Sequence, residues 1–116
     1  MRASGMDVRL VEHGTPSSSG ALVVAAQRLL AESLTNALKH GDLTRPVEVE
    51  EDWRDGYRLV VRNRVRDLSD RPSPPMGTGH GLAGMRDRVT MAGGRFDAGP
   101  DASDWVVRAE LPEPTS

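Results

Sequence analysis

The chain has 116 residues, of which 37% are hydrophobic, and it carries a formal net charge of −2 at pH 7. That length suits one domain with a modest core, and the small net charge does not favour a nucleic-acid or anionic-membrane partner. The sequence has no cysteine, no apolar run long enough to cross a bilayer and no signal peptide. We therefore expect a cytoplasmic domain without disulfides, thiolate metal sites or direct membrane contact.

Hydrophobic periodicity and turn residues predict seven elements. In chain order they are a strand at 6–10, a helix at 21–40, strands at 47–50 and 57–63, a helix at 82–91, and strands at 95–98 and 105–111. Serines in the loop 14–20 can cap the first helix, and Gly93-Gly94 ends the second. Asp55-Gly56 is a hairpin turn signal, and the last two strands are joined through 99–101.

The remaining stretches lack periodicity. Residues 64–80 are rich in proline and predict a mobile loop, and residues 112–116 form a disordered tail. Short connections and several hairpins favour one α+β domain over residues 1–116. We expect a two-layer α/β sandwich, with a mixed, mostly antiparallel sheet that carries its helices on one face.

The first helix combines an apolar and a polar face. The apolar face is formed by Leu30, Leu34, Ala37 and Leu38. The polar face is formed by Glu32, Asn36, Lys39 and His40. An amide oxygen suits Mg²⁺, an ammonium suits phosphate, and a carboxylate can hold a water, so this face fits a magnesium–polyphosphate ligand. The alternative is an ordinary solvated polar face.

A second motif spans residues 77–89, where a glycine-rich loop runs into a helix at Gly81 or Leu82. Glycines allow backbone amides to curl round an anion, and a helix N-terminus adds partial positive charge. Taken alone, such a loop is also compatible with simple flexibility. The combination with the polar face of the first helix is much more specific.

Together, the two motifs resemble those of the ATP-binding catalytic domain of bacterial sensor histidine kinases. Residues 32–40 resemble the family's asparagine box, and residues 79–89 its second glycine box in the form used by the nitrate-sensor and desaturase-thermosensor subclass. The superfamily also includes gyrase, a heat-shock chaperone and mismatch-repair proteins. The resemblance covers nearly the whole chain and implies the Bergerat-type ATPase fold, with residues 64–80 as the ATP lid.

The resemblance also implies roles for the residues of the asparagine box. Asn36 would coordinate Mg²⁺, Lys39 would approach phosphate and His40 would contact the nucleotide. Glu32 would polarise the attacking group or water. The alternative for Glu32 is a hydrogen bond to Asn36 within the helix.

In the glycine box, phosphate would be cradled by Gly77, Gly79 and Gly81. His80 either donates to phosphate or lies exposed. Leu82 and Met85 favour the core over an adenine contact, although one residue can serve both purposes. His13, near a strand end, has no partner that the sequence indicates.

The sequence departs from the family at two places. Asn63, followed by Arg64 and Val65, stands where the family has Asp-x-Gly, whose aspartate accepts a hydrogen bond from the adenine amino group. Asparagine keeps an accepting oxygen but lacks the charge, so we expect a weaker contact. The final hairpin has Asp104-Trp105 in place of the family's Gly-Thr turn.

The resemblance implies an enzyme that binds Mg·ATP and transfers its γ-phosphoryl group to a histidine. None of His13, His40 or His80 lies on a dimerisation helix, so the acceptor is expected on a segment outside this chain. The implied partners are ATP or ADP, the dimerisation helices and, indirectly, a response regulator, and we expect the isolated chain to be a monomer. The alternatives are a free-standing anti-sigma-type serine kinase and a degenerate nucleotide-binding or docking module.

Overall fold

The computed structural model describes residues 2–3, 6–40, 44–64, 79–102 and 104–113. Its elements are β1 (Arg2–Ala3), β2 (Met6–His13), α1 (Gly20–His40), β3 (Val47–Asp52), β4 (Tyr57–Arg64), α2 (Gly79–Met91), β5 (Arg95–Asp101) and β6 (Asp104–Leu111). The strands form one six-stranded sheet in the order β1-β2-β3-β4-β6-β5.

The sheet is mixed because α1 connects two adjacent strands. A helical crossover returns the chain in the same direction, so β2 and β3 are parallel. All other neighbouring pairs are antiparallel, including the β3–β4 hairpin at Gly56 and the β5–β6 hairpin. α1 packs on β4 and β6, and α2 packs on β5, β6 and α1. The predicted α+β sandwich with helices on one face is confirmed.

Alternation along the central strands places the core between the sheet and the helices. Val49, Val61 and Val107 lie side by side across β3, β4 and β6, and each is almost fully buried. From the helices, Leu29 and Val89 reach the same core. On α1 the most deeply buried positions are Leu22, Ala26, Leu29, Ser33 and Ala37. Leu30, Leu34 and Leu38 lie at the border of this face, so only Ala37 of the predicted apolar set is central.

Both predicted helix-end signals are confirmed. Ser19 Oγ accepts a hydrogen bond from the Leu22 amide at 3.3 Å and caps α1. After α2, the Gly94 amide donates to the Val89 carbonyl at 2.8 Å, and the Gly93 amide donates to the Thr90 carbonyl at 2.9 Å. With Gly93 at a φ of 83°, this pair of bonds is a Schellman motif.

Several predicted boundaries were wrong. β5 extends to Asp101 and β6 begins at Asp104. Residues 99–101 therefore belong to a strand, and the turn begins at Ala102. Pro100 is tolerated there because β5 is an edge strand. β2 extends to His13 because its ladder with β3 continues that far. The short strand β1 was not predicted.

The two stretches without periodicity lie largely outside the described residues. Of the predicted lid, Arg64 belongs to β4, Gly79 and His80 belong to α2, and residues 65–78 are not described. Of the predicted tail, residues 114–116 are not described. Within the described part of the chain, neither helix combines the length and the apolar character needed to span a membrane.

We predict that Gly94→Ala destabilises the domain by about 1–3 kcal/mol, the usual cost of overpacking. A Cβ at this position would lie 1.9 Å from the backbone oxygen of Glu110, which cannot move without disturbing β6. Urea unfolding followed by circular dichroism measures the change.

The matched control is Gly99→Ala, since a Cβ on Gly99 meets nothing within 4 Å. It should change stability by no more than about 0.5 kcal/mol. Equal stability of the two variants would contradict the close approach of α2's end to β6.

Candidate functional site

Two contacts show the relative direction of α1 and α2. The Arg88 guanidinium pairs with the Glu32 carboxylate, and the Ser33 hydroxyl donates to Met85 Sδ at 3.7 Å. Residue numbers therefore rise along α1 as they fall along α2, so the two helices are antiparallel. The C-terminal half of α1, from Glu32 onward, consequently lies beside the N-terminal half of α2. The two sequence motifs meet at one end of the helical layer.

The sheet brings Asn63 to that same end. A groove between the N-terminal half of α1 and the C-terminal end of α2, here called the helix groove, is lined by Ala21, Ala92 and Leu111 among others. In the β4–β6 ladder, Leu111 pairs with Tyr57, while Asn63 lies six residues further along β4 and pairs with Trp105. Asn63 therefore lies at the end of the sheet that is remote from the helix groove. The two sequence motifs meet at this same end.

The N-terminus of α2 contributes backbone donors to this end. α2 begins at Gly79 rather than at Gly81 or Leu82, so Gly79 and His80 belong to the first helical turn and not to a preceding loop. The first amides of a helix lack intrahelical acceptors, and the helix dipole adds partial positive charge there. The first turn of α2 carries no acidic side chain that would oppose an anion.

Some predicted site residues are described only by their backbone, and one is not described. Lys39 and His40 form the last residues of α1, and Gly79 to Leu82 the first residues of α2. The side chains of Lys39, His40, His80 and Leu82 lie outside the described part of the structure, as does all of Gly77.

Glu32 is engaged by two arginines. Arg88 contacts one carboxylate oxygen, and Arg28 Nε lies 3.5 Å from the other. The side chain of Glu32 is 32% exposed. Among the described residues it makes no hydrogen bond to Asn36, so the predicted alternative within the helix was wrong.

Asn36 and Asn63 offer the amide groups of the site. Asn36 is half-buried, and its side chain has no hydrogen bond to another described residue. Asn63 is 5% exposed, and its Nδ2 donates to the Arg64 carbonyl at 3.4 Å. This contact is long for a hydrogen bond, so the amide of Asn63 is weakly held. Met85 is 1% exposed and belongs to the core, as predicted.

On the face of β4 opposite to Asn63, ion pairs connect β4 to the adjoining ends of β5 and β6. Arg62 donates to Asp104 and to Asp101, at 3.1 Å in each case, and Arg64 Nε lies 3.3 Å from Asp104. The hydrogen bonds to Asp104 and Asp101 raise the pKa of Arg62. Asp104 thereby anchors the start of β6 against β4.

The described residues contain no cluster of three or more acidic or histidine side chains that could hold a metal. A metal would therefore depend on few protein ligands together with phosphate oxygens and water, which is the usual way in which Mg²⁺ binds. Asn36 fits such a site, since its amide is uncommitted among the described residues.

Sequence reasoning missed three contacts. Arg28 is four residues before Glu32, so helical spacing could have predicted that pair. No local pattern indicates that Arg88 meets Glu32, because the two residues are 56 positions apart. For His13 the sequence indicated no partner, and the structure shows its Nε2 2.8 Å from Glu50 Oε2 on β3.

Solved structures share this architecture. The Acinetobacter baumannii histidine kinase AdeS superimposes with a TM-score of 0.71 at 12% identity, over 94% of this chain and 55% of that one. The ATP-binding domain of PrrB from Mycobacterium tuberculosis gives a TM-score of 0.66 at 21% identity, over 97% and 84%. The mycobacterial sensor histidine kinase MprB gives 0.65 at 22% identity, over 94% and 84%.

These likenesses establish the fold, which is that of histidine kinase ATP-binding and catalytic domains. The chain spans 55% of AdeS and 36% of a blue-light activated histidine kinase from Erythrobacter litoralis, so those proteins contain further segments. Comparison with models of protein families finds no match, and neither does comparison with curated protein sequences.

We predict a measurable coupling between Glu32 and Arg88 in the stability of the domain. A double-mutant cycle with Glu32→Gln and Arg88→Gln should give about 0.5–1 kcal/mol, since the pair is partly exposed. Urea unfolding of the parent, both single variants and the double variant measures it.

The control cycle pairs Glu32→Gln with Arg28→Gln, where the arginine is more exposed and the separation longer. We expect about 0.3–0.5 kcal/mol or less there. A larger coupling to Arg28 than to Arg88 would contradict the contact between the helices.

Proposed function

We propose that this chain is the ATP-binding catalytic domain of a sensor histidine kinase, which binds Mg·ATP and transfers the γ-phosphoryl group. The observation that carries the proposal is the convergence of three elements at one end of the domain. These are the C-terminal half of α1, the N-terminus of α2 and the end of β4. The C-terminal part of α1, the first turn of α2 and Asn63 lie at the same end of the domain, which supports a shared binding site there.

Each element offers a different chemistry to the nucleotide. Asn36 is the proposed metal ligand, and bound Mg²⁺ would neutralise charge on the phosphates. Lys39 and His40 are proposed phosphate and nucleotide contacts at the end of α1. Gly77, Gly79, His80, Gly81 and Leu82 are proposed to surround the phosphates near the α2 N-terminus. Asn63 is proposed to accept a hydrogen bond from adenine.

Glu32 is the proposed catalytic residue, with the role of polarising the attacking group. Phosphoryl transfer depends mainly on positioning and charge stabilisation, so the carboxylate must be held in one place. The pairing of Glu32 with Arg88 and Arg28 supports a fixed position. It also means that two guanidinium groups balance the negative charge of the carboxylate as long as both stay in contact with it.

The phosphoryl acceptor is proposed to be a histidine on dimerisation helices outside this chain. That proposal places the domain in a cytoplasmic two-component pathway, with a response regulator downstream. The form of the 79–89 motif supports the nitrate-sensor and desaturase-thermosensor subclass. Since no described histidine lies on a dimerisation helix, we expect no stable phosphohistidine on the isolated domain.

One observation favours a second candidate, a nucleotide-binding or docking module without kinase activity. Asn63 stands where the resembled family has an aspartate, and neither of the two residues that follow it is a glycine. A neutral amide binds the adenine amino group less strongly than a carboxylate does. Nucleotide titrations separate a weakened kinase from a module that has lost its ligand.

We predict that Asn36→Ala weakens Mg·ATP binding at least about tenfold, or ~1.4 kcal/mol, because a metal ligand is removed. Titration of a fluorescent ATP analogue with and without Mg²⁺ measures the effect, which should be confined to the magnesium-containing series.

The matched control is Gln27→Ala, which removes an exposed amide from the same helix away from the site. Circular dichroism checks that both variants fold. If Asn36→Ala binds Mg·ATP as tightly as the parent, the assignment of residues 32–40 as an asparagine box is wrong.

We predict that Asn63→Ala weakens ATP and ADP alike by roughly 1–3 kcal/mol, as expected when a buried polar partner is lost. Asn63→Asp should bind both nucleotides at least as tightly as the parent, because a carboxylate is the stronger acceptor. Isothermal titration calorimetry with both nucleotides measures the series. Equal affinities across the three proteins would place adenine elsewhere.

A further inference from the structure

The helix groove lies at the end of the helical layer away from the proposed nucleotide site. It has a volume of about 690 Å³ and is lined almost entirely by apolar side chains. Leu29, Val89 and Leu111 are buried and form its floor. At its mouth, Met91 is 87% exposed and Val24 is 64% exposed. These are among the most exposed large apolar side chains that the structure describes, and they flank one concave surface.

The shape of the groove suits a helix. Its walls are two antiparallel helices, and small residues such as Ala21, Ala25 and Ala92 leave room for a third helix to approach. Side chains of an incoming helix can then enter the groove between the ridges of α1 and α2. An exposed apolar patch bordered by polar residues is typical of a protein-interaction surface.

Charge indicates the chemistry of the occupant. Among the described residues that line the helix groove, the charged ones are Arg28 and Arg88. Both converge on Glu32, so two positive charges are matched by one negative charge among these residues. The Arg28 side chain is 65% exposed and can reach a partner. A second copy docked face to face would bring its arginines against Arg28 and Arg88. A partner that carries a carboxylate would instead supply the second negative charge that these two arginines lack.

We propose that the helix groove docks an amphipathic helix of a partner protein. The apolar face of that helix packs between α1 and α2, and a carboxylate on its flank meets Arg28 and Arg88. The groove lies at the opposite end of the helical layer from Asn36, and its two arginines also contact Glu32 at the boundary between the two ends. The proposal stands whether or not the proposed kinase activity is confirmed.

The test uses two labelled, hydrocarbon-stapled peptides, each of about 18 residues so that helix formation is assured by length and staple. Both carry leucines at i, i+3, i+4 and i+7 spacing, and they differ only in having glutamates or lysines on one flank. Fluorescence anisotropy with the full chain measures binding. We expect the glutamate peptide to bind at least about tenfold more tightly than the lysine peptide.

Two substitutions at the groove locate the site. Val24→Asp should weaken the glutamate peptide at least about tenfold, because it adds like charge and removes apolar surface at the mouth. The matched control is Val11→Asp, since Val11 is 54% exposed on β2, outside the groove. It should leave peptide affinity unchanged. Arg28→Glu should reverse the preference between the two peptides.

Asn36→Ala should leave peptide binding unchanged, which separates this surface from the nucleotide site. The proposal is overturned if neither peptide binds saturably, if both bind equally, or if Val24→Asp has no more effect than Val11→Asp. Sedimentation equilibrium of the chain alone provides a further check. Self-association that Met91→Asp abolishes would assign the groove to a second copy and overturn the proposal of a partner helix.

Discussion

The antiparallel packing of α1 against α2 is the constraint on which the rest of the structure depends. Both helices cover the same face of the sheet, α1 over β4 and β6 and α2 over β5 and β6. Val89 and Leu29 fill the space beneath them, and Arg88 joins α2 to Glu32 on α1. Because the helices run in opposite directions, the end of one motif necessarily meets the beginning of the other.

This packing divides the helical layer into two ends with different chemistry. Toward the C-terminus of α1 lie the Asn36 amide and the first backbone amides of α2, which are the groups that the proposed nucleotide site uses. Toward the N-terminus of α1 the surface is apolar, and it forms the helix groove. Glu32, Arg28 and Arg88 lie at the boundary. Any movement of Arg88 would therefore alter both the proposed catalytic carboxylate and the charge of the groove.

The contacts of Glu32 show that the spacing of a motif does not by itself determine which residues pair. The spacing of residues 32–40 indicates which side chains share a helix face, and this follows from helical periodicity alone. The same spacing offered Asn36 as the partner of Glu32, whereas the structure pairs Glu32 with Arg88 across 56 residues. Asn36 is thereby left uncommitted among the described residues, which is what a metal ligand requires.

The sequence by itself determined the types of all the described elements except β1, the mixed α+β architecture, a serine cap for α1 and the glycine end of α2, because these depend on periodicity and local backbone chemistry. It did not determine where ladders end: β5 continues through Pro100 because β6 provides a partner at an edge. Nor did it determine that Asn63 and both motifs share one end, or that an apolar groove occupies the other. Those features arise from the directions in which strands and helices pack, and packing joins residues that no local pattern relates.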